Sequence, residues 1–320
     1  MKKLVSAFLL ISFTAEAQFD PSAGQTGSLA VYKDSSEIVA WATQCHVTRG
    51  YQNVIDSSLG YASAGDSSMA MGASDAGIVS LGDGGSAILT FAFPIVNGAG
   101  NDFAVFENGF SDTYLELAFV EVSSDGINYF RFPATSNTDT TPQIGGFGAL
   151  DATHLNNLAG KYRAQYGTPF DLEELKNEIG LDVNNITHVK IIDVVGTIDN
   201  TFATRDKNNS KINDPWPTPY ASSGFDLEAV AVLNMKSEGV EENEISIFSA
   251  YPNPVSSVLT VNVSLPDTYT LTVLDMKGQV CREYSGNGLF QMDVSALIEG
   301  IYLLRVSSFN KVSVGKFSKM

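Results

Sequence analysis

Short apolar runs alternate with Gly, Asn and Asp turns from Ile78 to Pro133. Runs of about four to eight Val, Phe, Leu and Ile residues between such turns predict β-strands. The pattern places strands at Ala87–Phe93, Phe103–Phe106 and Leu115–Val122. Ser123-Ser124-Asp125-Gly126 then reads as a hairpin turn, because Gly supplies the positive φ a tight turn requires. The return strand is Tyr129–Phe132, and Val189–Val195 and Phe225–Leu233 add two more. Val39–Ala42 fits a strand or a short helix. This is the pattern of an all-β sandwich.

One patch has helical spacing. Leu155, Leu158 and Tyr162 fall on one helical face, and Asp171 stands three before Glu174, a capping-box arrangement that Gly180 would close. The expectation is a short helical insertion of one or two helices over Asp151–Ile179, covering an end or edge of the sandwich. Thr197–Ser223 is too rich in Asn, Asp and Pro for a regular element, and a connection this long in a compact domain is usually functional or disordered. Lys236–Glu244 is charged and poor in apolar residues, so it reads as a linker. Beyond it, Leu259–Val263, Tyr269–Leu274, Gly300–Val306 and Val312–Phe317 alternate like the strands of a second, smaller β-sandwich. The domains expected are 1–17, 18–235 and 245–320, with the linker at 236–244.

The first segment has the form of a secretory signal peptide. Lys2 and Lys3 precede the apolar run Leu4–Phe13, and Ala15-Glu16-Ala17 offers a small-x-small cleavage site, with Gln18 as the first mature residue. No other stretch is long and apolar enough to span a bilayer as a helix. The net charge of −17 argues against nucleic acid as a partner, since phosphate binding needs a basic face. It is compatible with cation binding at oxygen-rich loops. Cys45 and Cys281 lie in different expected domains and lack metal-ligand spacing, and a bridge between them is the less expected outcome.

The tail carries Tyr251-Pro252-Asn253-Pro254, Leu274-Asp275-Met276-Lys277-Gly278-Gln279, Asp293-Val294-Ser295 with Leu297, and Gly300-Ile301-Tyr302. In these motifs and their order it resembles the C-terminal sorting domain of the type IX secretion system of Bacteroidetes. The terminal Lys319-Met320 departs from the more usual final Lys. The resemblance implies handling by the type IX machinery, export across the outer membrane, and a secreted or outer-membrane surface location. In the main domain, Val120–Phe132 is similar to a strand–turn–strand of discoidin-like and other galactose-binding-like jelly rolls. The wider set Val79–Gly85, Asp102–Phe110 and Phe225–Val232 resembles a group of secreted domains from Bacteroidetes and Planctomycetes, over about Val31–Leu233. This implies a jelly-roll-like fold and brings no catalytic residues. Association of some such domains with outer-membrane cobalamin uptake implies an accessory role in vitamin B12 capture as an alternative.

Candidate chemistry starts with Asp226 and Glu228. Two residues apart on a strand, they share a face with Val230 and Val232. Asp193 likewise shares parity with Val189, Ile191 and Val195. An inward carboxylate is costly unless it is paired, hydrogen-bonded or metal-bound. These acids, with Asp102, Glu107 and Asn108 from the neighbouring loop, could supply oxygen ligands to Ca²⁺; the alternative is that the face is exposed and the acids are wet. Asp206, Asn208, Ser210, Ile212 and Asp214 imitate EF-hand spacing, but Lys211 and Pro217 stand at its Gly and Glu positions, so a polar loop is expected. Trp216 and Tyr220 are the expected ligand contacts, because aromatic faces stack on sugars and the neighbouring prolines stiffen the loop. Their alternative is to tuck onto the sandwich, and Phe147, Tyr162 and Tyr166 are fainter candidates of the same kind. His46, His154 and His188 are scattered. Gly72-Ala73-Ser74-Asp75-Ala76 lacks the last glycine of a nucleophile elbow, and Cys45-His46 would point to opposite faces of a strand. A carboxylate pair such as Glu107 with Glu121 keeps a hydrolase open as an alternative. The reading is a non-catalytic secreted module for a glycan or similar nutrient, stabilised by calcium.

Overall fold

The computed structural model describes residues 19–74, 77–236, 248–264, 268–308 and 311–320. The expected signal peptide and the linker beyond Lys236 lie outside them. The chain divides into two units, Met1–Ser237 and Glu238–Met320.

The first unit is a β-sandwich. Its strands are β1 (Val31–Tyr32), β2 (Ala40–Trp41), β3 (Gln44–Thr48), β4 (Val79–Ser80), β5 (Ser86–Ile95), β6 (Phe103–Glu107), β7 (Ala118–Ser123), β8 (Phe130–Arg131), β9 (Thr135–Ser136), β10 (Leu155–Asn156), β11 (Tyr166–Phe170), β12 (Ile186–Asp193) and β13 (Asp226–Val232). One sheet runs β1-β11-β6-β13-β2, with β4 also on β13; the other runs β3-β5-β12-β7-β8. The pairings are antiparallel, and β12 lies between β5 and β7 with Val189 opposite Leu89 and Val122, and Ile191 opposite Ala87 and Val120. Directly opposed residues share a face, so this register lines one side of the sheet with apolar side chains. Phe103, Val105, Val230 and Val232 of the other sheet close the same core, and Phe103 stacks on Phe170 at 5.3 Å between ring centres. Each such side chain taken fully from water contributes about 1.5–3 kcal/mol, which makes this layer the main source of the unit's stability. The outer face of the first sheet has its own cover, where Trp41 leans on Phe106 beside Val31 and Ala229.

The expected strands of this unit are present, with shifts of a few residues at their ends. Two details differ. First, the helices of segment 151–179 are only single 3-10 turns, Ala152–His154 and Leu172–Leu175, with the strands Leu155–Asn156 and Tyr166–Phe170 between them. Asp171 does cap, accepting the Glu173 amide at 2.8 Å, but the turn it caps is four residues long. Leu155 and Leu158 are buried in a cluster with Leu115, Leu117 and Phe119, so their apolar spacing serves packing without a helix. Gly160, at φ +81°, interrupts any helix, and a side chain there would strike the Glu116 carbonyl. Second, β13 carries one extra residue opposite β6: Leu227 faces Glu107, yet Ala229 faces Phe106. This irregularity changes the parity along the strand. Leu227, Val230 and Val232 therefore share the core, and Asp226 does not lie on their row.

The long loop 197–223 is laced to residues 137–148. Asn213 Nδ2 donates to the carbonyls of Asp139 and Pro142, and Ile198 N donates to Gln143 Oε1 at 2.8 Å. Asp206 accepts the amides of Asn208, Ser210 and Ser136, so the stretch with EF-hand-like spacing is organised as a polar loop by its own backbone.

The second unit is a small β-sandwich with sheets β14-β15-β18 and β17-β16-β19-β20, formed by β14 (Phe248–Tyr251), β15 (Val258–Val263), β16 (Tyr269–Leu274), β17 (Val280–Gly286), β18 (Leu289–Asp293), β19 (Gly300–Ser308) and β20 (Lys311–Lys319). Leu259, Val261, Leu271, Val273, Leu304 and Val306 fill it. The turn between β16 and β17 is built by Asp275, whose Oδ1 accepts the amides of Lys277 and Gln279, with Gly278 at φ +80°. Strands β14, β17 and β18 were not legible in the pattern. Cys45 and Cys281 are both free thiols, and burial pushes Cys45 up to about 11.

Candidate functional site

Three loops at one end of the sandwich present aromatic rings side by side. The loop after β6 carries Phe110 and Tyr114, the loop 144–148 carries Phe147, and the loop 213–220 carries Tyr220. Ring centres lie 5.2 Å apart for Phe110 and Tyr114, 6.1 Å for Tyr114 and Phe147, and 6.3 Å for Phe147 and Tyr220. Backbone bonds lock the loops to one another: Leu150 N donates to Thr113 O at 2.8 Å, and Trp216 N donates to Ile144 O at 3.1 Å. The row is strongly exposed, 78 % at Phe110, 75 % at Phe147 and 53 % at Tyr220. Apolar rings left this far in water, on loops held rigid, form a surface able to stack on a flat, partly apolar ligand. A cavity of about 420 Å³ is lined by Asp139, Gln143, Gly148, Asp151, His154 and Asn213 among others.

Beneath the row lies a group of buried acids. Glu107, Glu116, Asp214 and Asp226 are all buried, and all four bear on the hydroxyl of Tyr114, whose pKa rises through burial and then through their charge. Burial pushes Glu107 and Glu116 well above the usual carboxylate range, and their neighbours' negative charges push the same way. Asp214 rises for the same first reason, and Asp226 is raised to about 6 by burial against the opposing effect of Ser80 and Arg49. Hydrogen bonding is incomplete here: Glu107 Oε2 accepts the Gly109 amide and Asp214 Oδ2 accepts the Leu117 amide, whereas Glu107 Oε1 and Asp214 Oδ1 have no partner. Glu116 was missed in the sequence, and Asp214 was read there only as the end of the EF-hand-like spacing. Glu116 stood between Leu115 and Leu117, and an acid inside an apolar run was the available signal.

The acids and aromatics singled out in the sequence occupy several different places. Glu107, Asn108 and Asp226 come together, since the Asn108 side chain lies close enough to the Asp226 carboxylate to lower its pKa and Glu107 feels Asp226 as its first charged neighbour. Asp193 points inward as its parity requires and clasps two backbone amides, Phe225 N at 2.7 Å and Gly84 N at 2.9 Å. Glu228 is buried at the irregularity of β13. Asp102 stands before the first residue of β6 and Glu107 is its last, about 16 Å apart on an extended chain, so the six residues do not form one site. Asp102 instead accepts the amides of Gly98 and Leu172. Among the described residues, no three His, Cys, Asp or Glu side chains are jointly placed to hold a metal.

Tyr220 lies at the end of the exposed row. Trp216 is only partly exposed and turns its indole N–H onto Asp83 Oδ2 at 3.0 Å, tying its loop to the sandwich. Tyr162 is buried and donates its hydroxyl to Asp20, which also pairs with Lys161 at 2.5 Å. Tyr166 packs on Tyr32. Glu121 is ion-paired with Arg131 at 2.7 Å, on the sheet opposite that of Glu107.

Residues 249–320 match the family of secretion system C-terminal sorting domains. The chain carries a type IX secretion sorting domain. That sorting domain implies handling by the type IX machinery and a secreted or outer-membrane surface location. Among the described residues no helix is long and apolar enough to cross a membrane. No curated protein matches the chain. Among solved structures, a β-glucuronidase from Ruminococcus gnavus in complex with D-glucaro 1,5-lactone is similar at 12 % identity and a TM-score of 0.20, over 74 % of this chain and 36 % of that one. A Faecalibacterium prausnitzii β-glucuronidase is similar at 12 % identity and 0.21, over 73 % and 37 %. The BSP domain of a biofilm associated protein is similar at 10 % identity and 0.21, over 89 % and 52 %. The chain thus spans little more than a third of the glucuronidases' length, and at these scores neither their reaction nor their ligand transfers to it.

Proposed function

We propose that the domain ahead of the sorting tail is a non-catalytic binding module, displayed outside the cell, that holds a glycan or similar polar nutrient on the row Phe110, Tyr114, Phe147 and Tyr220. The observation that supports this reading is the exposure of Phe110 and Phe147 on loops that are otherwise pinned by hydrogen bonds. A ring held in water before the ligand arrives loses little conformational freedom on binding, which favours recognition by stacking. The buried carboxylates suit a supporting role better than a catalytic one, since Glu107 is only 1 % exposed and a substrate bond could not reach it. The test is a glycan-array screen of the full chain, followed by a cobalamin titration and a hydrolase substrate panel. The reading expects a retained glycan, no cobalamin binding and no turnover. Saturable cobalamin binding would replace it with the accessory role in vitamin B12 capture, and turnover lost in Glu107→Gln would replace it with a hydrolase.

A further inference from the structure

Three neighbouring strands end together where the acids gather. β4 and β6 flank β13 there, with Ser80 opposite Asp226 and Glu107 opposite Leu227. Ser80 Oγ donates to Asp226 Oδ1, and the Asn108 side chain reaches the same carboxylate. Glu107 Oε1 is buried beside this pair with no hydrogen-bond partner, and Asp214 Oδ1, on a residue 4 % exposed, is in the same condition. A buried carboxylate oxygen without a donor is costly, and here each stands in the field of other carboxylates. The basic group that acts on Asp226 is Arg49, whose guanidinium is already engaged with the carbonyls of Ala64, Ser80 and Gly65. The cluster therefore has two orphaned carboxyl oxygens with neutral oxygens beside them, and the base nearest Asp226 is spent on backbone carbonyls.

We infer that Glu107 and Asp226, with Asn108 and Ser80, hold a divalent cation of the calcium class at this end of the sheet. Calcium takes about six to eight oxygens in flexible geometry and accepts carboxylate, amide, hydroxyl, carbonyl and water ligands together. Two carboxylates completed by neutral oxygens match the donors present. Asp214 and Glu116 stand one step further out and add negative field. Magnesium fits less well, because it demands near-octahedral geometry and gives up water reluctantly. The ion ties Asn108, the root of the loop bearing Phe110 and Tyr114, to the ends of β4 and β13. It supports the aromatic row from below and is read without any glycan, so its failure and that of the proposed function are separable.

The experiment is a calorimetric titration of the full chain, freed of metal by chelation, with Ca²⁺ alone, paired with Tb³⁺ luminescence excited through tyrosine. The inference expects saturable binding with one ion at this site, sensitised Tb³⁺ emission, and affinity lowered on the order of tenfold or more in Glu107→Gln and in Asp226→Asn. Glu121→Gln, on the other sheet, serves as the control and keeps the wild-type affinity. Absence of both heat and emission in the folded wild-type chain overturns the inference and means the carboxyls hold protons instead. Binding that both variants leave unchanged overturns it equally, by moving the ion elsewhere. If neither variant folds, Asn108→Ala takes their place, and wild-type affinity in that variant overturns the inference.

Discussion

The buried acids make the stability of the first unit depend on pH in an unusual sense. A carboxyl whose folded pKa is raised binds its proton more tightly in the folded chain than in the unfolded one. Its contribution is fully present below the unfolded value and is lost as pH rises through the folded value. For Asp226 that window runs from 3.8 to about 6. At roughly 1.4 kcal/mol per pKa unit, the whole shift is worth about 3 kcal/mol, of which about 1.4 kcal/mol disappears between about pH 5 and pH 7.5. Glu107, Glu116, Asp193 and Asp214 are raised by the same burial and act in the same direction. Exposed carboxyls lowered by local hydrogen bonds, such as Asp66 and Asp125, act oppositely, but only as pH falls below the ordinary aspartate value. Metal-free protein is therefore more stable at about pH 5 than at about pH 7.5, by at least ~1 kcal/mol. Urea unfolding followed by tryptophan fluorescence measures this directly, because Trp41 and Trp216 both lie in the first unit. Calcium at about a hundred times its Kd should then add about 2.7 kcal/mol at neutral pH and remove the trend. Stability that is flat or rising over this interval in chelator would refute the picture of desolvated, unpaired carboxyls.

Two further outcomes follow from single contacts and a third from the sorting domain. Asp193→Ala strips the acceptor from the amides of Gly84 and Phe225, and should lower the urea-unfolding free energy by about 2–4 kcal/mol, since each orphaned buried donor costs about 1–3 kcal/mol and relief of a desolvated charge offsets part of it. Gly160→Ala puts a methyl 1.8 Å from the Glu116 carbonyl at a positive φ, and should cost more than about 1 kcal/mol in the same assay, whereas Gly145→Ala, with open space around it, should cost little. Deleting residues 249–320 should leave the protein inside the cell envelope, with none in the medium or on the surface by fractionation and immunoblot.

Most strands of the sandwich were legible because turn residues and apolar runs alternate over Ile78–Pro133, and a period-2 pattern admits few other readings. Asp193 was placed correctly by parity alone, since β12 runs without irregularity from Val189 to its end. The same reasoning failed on β13, where one extra residue near Glu228 reversed the parity that had put Asp226 on the row of Val230. Leu155, Leu158 and Tyr162 showed helical spacing because they pack in layers, while Gly160 and the β11 register decided the backbone. The aromatic row was only partly visible. Tyr220 and Phe147 could be suspected from composition, but their meeting with Phe110 and Tyr114 joins three loops distant in sequence. Trp216, the most attractive residue by type, was claimed by a hydrogen bond to Asp83, a partner 133 positions away. The sorting tail was the clearest part, because its motifs are local.

Binding by the aromatic row is the property that matters most for the proposed function. The most direct measurement is calorimetric titration of the glycan retained on the array against the full chain and against the Phe110→Ala/Phe147→Ala double variant. Both side chains are exposed, so the variant should keep the wild-type unfolding free energy within about 1 kcal/mol, roughly 0.5 kcal/mol for each substitution. The prediction is saturable binding by the wild type and a loss of tenfold or more in the variant, since each lost ring contact is worth about 1 kcal/mol or above. Equal affinity in the two proteins, or no glycan bound by the folded wild type, would contradict the proposed function.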